Sequence, residues 1–242
     1  IIMSKLILVR HGQSTWNLEN RFTGWYDVEL SQNGLLEAKK AGELLIAENI
    51  NIDHAYTSYL KRAKNTLKII LKNMLLENIR IIKSWEFNER HYGNLTGLNK
   101  SEMKEKLGED QIKIYRRSWD IAPPELDLNN EFNPRSDEIY NDIDSNYIPN
   151  TESLKDTYDR VIPYFDLNIK PKIIDKKNII IAAHGNSLRA LCKKLFNISN
   201  EKINELEIPT GNPLVINLDT ELKVSNVGYL DDDRKQKLII NQ

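Results

Sequence analysis

Two short apolar runs, each ending in a His-Gly pair, most strongly limit what this chain can fold into. Lys5-Leu6-Ile7-Leu8-Val9-Arg10 leads straight into His11-Gly12, and Asn178-Ile179-Ile180-Ile181-Ala182-Ala183 leads into His184-Gly185. Neither run alternates polar with apolar residues. Each therefore reads as a strand buried on both faces, as in a parallel sheet covered by helices. The segments between them supply those helices. Ser31 is placed to cap a helix over 32–48, with Leu35, Ala38, Gly42 and Leu45 on one face. Asp53 to Thr57 reads as a strand, and Ser58 as the cap of a helix with the stripe Leu60, Ala63, Leu67, Ile70, Leu71 and Met74.

A third strand is expected near Ile79 to Ile82, then helices over 99–107, 109–117 and 152–168, the last bent by Pro163. After Ala183, Asn186 is expected to cap a helix running to Phe196. Pro213 to Leu218 and Val224 to Leu230 read as the final strands, Pro213 opening its strand where no amide donor is needed. Strand and helix alternate, which predicts an α/β fold: three layers, α/β/α, around a mostly parallel sheet. One catalytic domain over 3–230 is expected, followed by a tail over 231–242. The proline- and Asn/Asp-rich stretch 118–150 is expected to be a lid or insertion, because loops that long are usually functional.

Charge narrows the chemistry. Lys and Arg number 34 against 35 Asp and Glu, a net charge of −1. That balance gives no basic field for nucleic acid or a membrane surface, so neither is expected as a partner. Any site for anions must gather its positive charge locally. The longest apolar run is far too short to span a bilayer. A single cysteine, Cys192, rules out a disulfide framework, and no secretory leader is visible, so a cytoplasmic location is expected. Met3, preceded by Ile1 and Ile2, is the expected natural start.

Ligands on open α/β sheets bind at the carboxyl ends of strands, where both His-Gly pairs lie. If the two strands are neighbours, both imidazoles face one crevice; either one alone could simply satisfy a buried carbonyl. Arg10 at the sheet edge is costly without an anion nearby. Lys61 and Arg62 oppose the dipole of the helix they begin, which points to function or to a solvated pair. Asn88-Glu89-Arg90-His91-Tyr92-Gly93 packs acid, base, imidazole and phenol into one loop. There Glu89 could be a general acid/base or an arginine's partner. Lys100 and Arg116-Arg117 add cations, although paired helical arginines are often solvated. No Gly-x-x-x-x-Gly-Lys-Ser/Thr loop, Gly-x-Gly-x-x-Gly loop or Gly-x-Ser-x-Gly elbow occurs, and the four histidines lack zinc-site spacing, so no metal is expected. A neutral imidazole ringed by arginines can transfer a phosphoryl group, since guanidinium forks match its spread negative charge.

Longer motifs sharpen this. Arg21-Phe22-Thr23-Gly24-Trp25-Tyr26-Asp27-Val28, Tyr56-Thr57-Ser58, the Asn88–Gly93 loop, Ala182-Ala183-His184-Gly185-Asn186-Ser187-Leu188-Arg189-Ala190-Leu191, and Ile208-Pro209-Thr210-Gly211 with Pro213-Leu214-Val215 span nearly the whole chain. In these motifs and their order the sequence resembles the cofactor-dependent phosphoglycerate mutases of the histidine phosphatase superfamily. The resemblance implies interconversion of 3-phosphoglycerate and 2-phosphoglycerate, with 2,3-bisphosphoglycerate as primer and intermediate. It implies that His11 carries the phosphoryl group, Glu89 exchanges protons with the substrate hydroxyls, and His184 stabilises the group in transfer. Arg10, Asn17 and Arg62 would bind that group. Thr23, Gly24, Arg90, Tyr92, Lys100, Arg116 and Arg117 would hold the rest of the three-carbon acid, and Gly185 and Asn186 would close the pocket. By family analogy a homodimer is expected.

Some features depart from the family pattern. Gln13 stands where many relatives have Glu, and 130–147 matches only loosely. The tail from Asp231 looks shorter than the family's usual small-residue-rich closing segment, which would expose a phosphoenzyme to water. Three other readings compete: a histidine phosphatase acting on a small phosphorylated metabolite, a pseudoenzyme acting as a phospho-ligand or protein-binding module, and a bisphosphoglycerate synthase. Retention of His11 and Glu89 opposes the pseudoenzyme, and Thr23-Gly24 favours a mutase over a synthase.

Overall fold

The computed structural model describes residues 3–240; Ile1, Ile2 and the end of the tail, Asn241-Gln242, lie outside them. The two apolar runs form β1 (Ser4–Arg10) and β4 (Ile179–Ala183), which pair in parallel at the centre of the sheet. Around them lie β2 (His54–Thr57), β3 (Ile81–Lys83), β5 (Leu214–Leu218) and β6 (Val224–Tyr229), in the order β3-β2-β4-β1-β5-β6. The first four of that order are parallel, whereas β5 runs antiparallel to β1 and β6 to β5. The expected mostly parallel sheet is thus present, and its third strand lies slightly further along the chain than the apolar pattern suggested.

Both central strands divide their side chains between two layers. Leu6, Leu8, Ile179 and Ile181 pack into one core with α6 (Leu154–Asn168), α7 (Lys170–Ile174) and α8 (Gly185–Leu195). Ile7, Val9, Ile180 and Ala182 pack into the other, against α2 (Gln32–Ala47) and α3 (Lys61–Asn73). This period-two division on doubly covered strands explains why the runs are apolar throughout. Among the described residues, no helix is long and apolar enough to cross a membrane.

Several local expectations change. Ser31 does cap α2, accepting from the Gly34 amide, but Leu35 is exposed and the buried face runs through Gly34, Ala38, Ala41, Gly42 and Leu45. Ser58 does not cap α3: Leu60 takes that position, and the Ser58 hydroxyl turns instead to His184. Asn186 lies inside α8, and His184 is the residue that precedes its first turn. Pro163 sits within α6, which continues as one helix through it. The 118–150 segment folds as extended chain and single 3₁₀ turns on the 22–26 and 93–97 loops, with Phe132 against Trp16 and Tyr26 and Tyr140 donating to the Trp25 carbonyl. In the tail, Arg234 pairs with Glu37 and Lys40 with Asp231, while Leu238 and Ile239 pack against the α6–α8 core.

The turn after β1 is held by close backbone packing. A Cβ on Gly34 would meet the Gln13 carbonyl oxygen at 2.1 Å, and one on Gly12 would meet the Gly34 carbonyl oxygen at 2.2 Å. Replacing a helical glycine by alanine ordinarily stabilises by about 0.5–1 kcal/mol. At Gly34 the sign reverses, because the helix would have to move off the loop that follows His11. Gly34→Ala is expected to cost at least about 2 kcal/mol in urea unfolding; a neutral or stabilising result would show that this packing is loose.

Candidate active site

The β1/β4 register ends with Arg10 opposite Ala183, and the ladder continues one step as the His11 amide donates to the Ala183 carbonyl at 3.0 Å. His11 and His184 therefore leave adjacent strand ends together, with ring centroids 5.0 Å apart. His11 Nδ1 lies 2.7 Å from the Gly12 carbonyl oxygen. A carbonyl can only accept, so Nδ1 carries the proton and Nε2 keeps its lone pair. Burial, then the Arg62 and Arg10 charges, hold His11 well below the usual imidazole range, which keeps it neutral and nucleophilic. His184 is likewise held low by burial, with Arg62 adding to it, and its Nε2 shares a 2.7 Å hydrogen bond with the Ser58 hydroxyl.

One cavity lies over this pair. All the residues that the resemblance implies line it except His184, fully buried behind His11, and Arg90. Arg62 is buried at the start of α3 and fixed by donating to the Gly24 and Tyr26 carbonyls at 2.8 and 2.9 Å. Arg10 donates from Nη1 to the Ile208 carbonyl, while its Nε is buried without a protein partner among the described residues. Glu89 Oε1 accepts from the amides of Arg90 and Asn186, and Oε2 lies near Gly185. One carboxylate oxygen thus anchors the group and the other faces the cavity side of Gly185. A Cβ on Gly185 would sit 3.6 Å from Arg10 Nε and 3.8 Å from Glu89 Oε2, filling the space between them.

Arg90 has another task in this structure. It is fully buried, its guanidinium lies 4.7 Å over the Tyr92 ring, and Nη2 donates to the carbonyls of Tyr115 and Arg116. It thereby holds the last turn of α5 (Glu109–Arg117), which presents Arg116 and Arg117 to the cavity. Lys100 comes from the first residue of α4 (Lys100–Leu107), and Asn17 from α1 (Thr15–Leu18), where its side-chain oxygen accepts from the Ser14 amide. Burial, with Arg116 and Arg10 nearby, lowers Lys100, while burial of Tyr92 is outweighed by Arg90 and the other cations, which lower its phenol. No residue of 118–150 or of the described tail lines the cavity.

Sequence reasoning missed Arg21, Arg189 and Glu207, which also line it. Arg21 and Arg189 stand inside the motifs quoted above, so a signal was present; Glu207 had none. Also missed was Arg160, paired with Glu152 at 2.6 Å and donating to the carbonyls of Glu86, Asn88 and Glu89. Glu152 in turn accepts from the His91 amide, so this buried pair braces the loop that aims Glu89.

His11, His91 and His184 are all buried with lowered pKa, His91 to about 3, by burial first and nearby arginines second. Below pH 6.5 the unfolded chain binds protons that the fold refuses. Stability must then fall as pH drops through 6.5, by about 1.4 kcal/mol per pH unit for each such histidine. Urea unfolding between pH 7.5 and 5.5 is expected to show that decline, shallower by about one proton in His91→Asn. A flat profile would mean the imidazoles titrate normally in the fold.

A profile of the histidine phosphatase superfamily (branch 1) matches residues 6–147 and 126–226. A curated relative from Pelagibacter ubique, named 2,3-bisphosphoglycerate-dependent phosphoglycerate mutase, is 56% identical over 238 residues, covering 98% of this chain and 100% of that protein. One of the same name from Treponema denticola is 52% identical, covering 98% and 96%. Among solved structures, a phosphoglycerate mutase from Bacillus anthracis superposes with a TM-score of 0.68 at 19% identity, covering 94% of this chain and 92% of that one. An α-ribazole phosphatase from Shigella flexneri does so at 0.68 and 18%, covering 96% and 98%. These two show likeness of fold alone. Profile and full-length relatives agree: the chain belongs to the 2,3-bisphosphoglycerate-dependent phosphoglycerate mutase family of the histidine phosphatase superfamily.

Proposed function

We propose that this protein interconverts 3-phosphoglycerate and 2-phosphoglycerate through a phosphohistidine at His11, primed by 2,3-bisphosphoglycerate and without a metal. The observation that carries the reading is the composition of the cavity. Seven cationic side chains, Arg10, Arg21, Arg62, Lys100, Arg116, Arg117 and Arg189, line it against two carboxylates, Glu89 and Glu207. A monophosphate needs fewer. A three-carbon acid carrying two phosphates and a carboxylate matches such a surplus, and each charge-assisted hydrogen bond contributes about 1.5–3 kcal/mol. The unpartnered Arg10 Nε and the gap above Gly185 leave room for phosphoryl oxygens.

The geometry supports the following roles. His11 Nε2 attacks phosphorus while Arg10 and Arg62 hold the equatorial oxygens, and His184 supports the developing charge from behind. Glu89 takes the proton from the hydroxyl that receives the phosphoryl group and returns one to the oxygen that gives it up. The name borne by the full-length relatives supports the primer. The favoured partners are small phosphorylated three-carbon acids.

Initial rates with 3-phosphoglycerate, with and without catalytic 2,3-bisphosphoglycerate and in the presence of a chelator, test the proposal. Formation of 2-phosphoglycerate is expected to need the primer and survive the chelator. Faster release of inorganic phosphate than of 2-phosphoglycerate would favour the phosphatase reading, and dependence on added manganese would contradict the mechanism. Arg62→Ala is expected to lower kcat/KM at least about tenfold, since it removes a buried cation beside His11 that would hold the phosphoryl group; near-normal turnover would take Arg62 out of the site.

A further inference from the structure

Three consecutive residues between α8 and β5 receive three of the site's arginines. Arg189 Nε donates to the Leu206 carbonyl at 2.8 Å, and Arg10 Nη1 to the Ile208 carbonyl at 2.9 Å. Between them the Glu207 carboxylate pairs with Arg117 through Oε1 and lies 3.7 Å from Arg189 through Oε2. The two carbonyls are fixed backbone acceptors. Glu207 differs: its side chain is 44% exposed and that of Arg117 27%, whereas that of Arg189 is 8% exposed and also bonded to Asn186 Oδ1 at 2.6 Å. Of these four contacts, the Glu207–Arg117 pair is the one formed by two charged side chains that are both partly open to solvent. Exposed pairs of this kind are weak and give way readily to competing anions.

Arg117 is nevertheless one of the cations that line the cavity. A ligand anion reaching it must compete with a carboxylate already in place. We propose that Glu207 is an internal counter-anion, displaced from Arg117 when the second anionic group of a ligand arrives, and that it makes this part of the site selective for ligands carrying such a group. Glu207 also offsets the repulsion between the like charges of Arg117 and Arg189. A ligand with one phosphate alone is held by Arg10 and Arg62 beside His11 and leaves the Glu207–Arg117 pair closed. A phosphoglycerate opens it and leaves Glu207 on Arg189.

The proposal rests on phosphoglycerates being the ligands, and calorimetric binding separates its failure from a failure of that reading. Glu207→Gln keeps the shape and removes the charge. It is expected to tighten binding of 3-phosphoglycerate about threefold to fivefold, the range an exposed ion pair allows, and to leave inorganic phosphate binding within about 1.5-fold of the parent. In an Arg117→Ala background the same change is expected to have no effect on 3-phosphoglycerate. Weaker or unchanged binding of 3-phosphoglycerate to Glu207→Gln would overturn the proposal, because Glu207 would then position Arg117 or do nothing. Equal tightening of both anions, or a gain that persists without Arg117, would also overturn it by showing a general field effect. If the parent protein binds 3-phosphoglycerate but does not turn it over, the mutase reading fails while the binding comparison still decides the role of Glu207.

Discussion

The parallel pairing of β1 with β4 is the constraint on which the rest of the site depends. Because the ladder runs to Arg10 and Ala183 and one hydrogen bond beyond, two histidines 173 positions apart emerge at one point on the sheet edge. A one-residue slip would send every side chain of β1 to the opposite layer, and both cores forbid it. The position of His11 is therefore specified by hydrophobic packing away from the cavity. Gly12 and Gly34 then let α2 close against the turn, and Glu37 ties that turn to Thr210 and Arg234.

The price of the arrangement is electrostatic. Arg62 and Arg90 are essentially without solvent contact, and buried charges are tolerated only when satisfied. Arg62 is met by the Gly24 and Tyr26 carbonyls, and Arg90 by two carbonyls and an aromatic face. Neither has a carboxylate among these hydrogen bonds, so each keeps a net positive charge. The Arg62 charge faces the cavity and, after burial itself, is the largest influence keeping the His11 and His184 imidazoles neutral. The same cations that line the cavity beside His11 thus help to leave it with a free lone pair.

The strands, the layer arrangement and most of the site could be read from the sequence because they rest on local patterns. Continuous apolar runs, His-Gly at strand ends and dense polar motifs all lie within a few residues. What could not be read depends on contacts between distant segments. Ser58 reads as a helix cap because nothing local shows that its hydroxyl faces His184, 126 positions away. Arg160 looks like an ordinary helical arginine, yet it holds carbonyls more than 70 positions distant. Leu35 fits a helical stripe, but α2 is rotated so that Gly34 meets the loop after His11. Arg90 carries the family's signature, and only its burial shows that it holds α5 and does not line the cavity. In the described part of the tail, Leu238 and Ile239 pack on the α6–α8 core and no residue lines the cavity; the alignment takes in the whole of the Pelagibacter relative.

The central claim is that His11 is held with Nδ1 bonded to the Gly12 carbonyl, so that Nε2 alone can carry the phosphoryl group. Phosphorus and nitrogen NMR of protein labelled with ¹⁵N-histidine and charged with 2,3-bisphosphoglycerate reads this directly. An acid-labile phosphate on Nε2 of His11, lost in His11→Asn, is the expected result. A phosphate on Nδ1, on another residue, or none on a turning-over enzyme would contradict it.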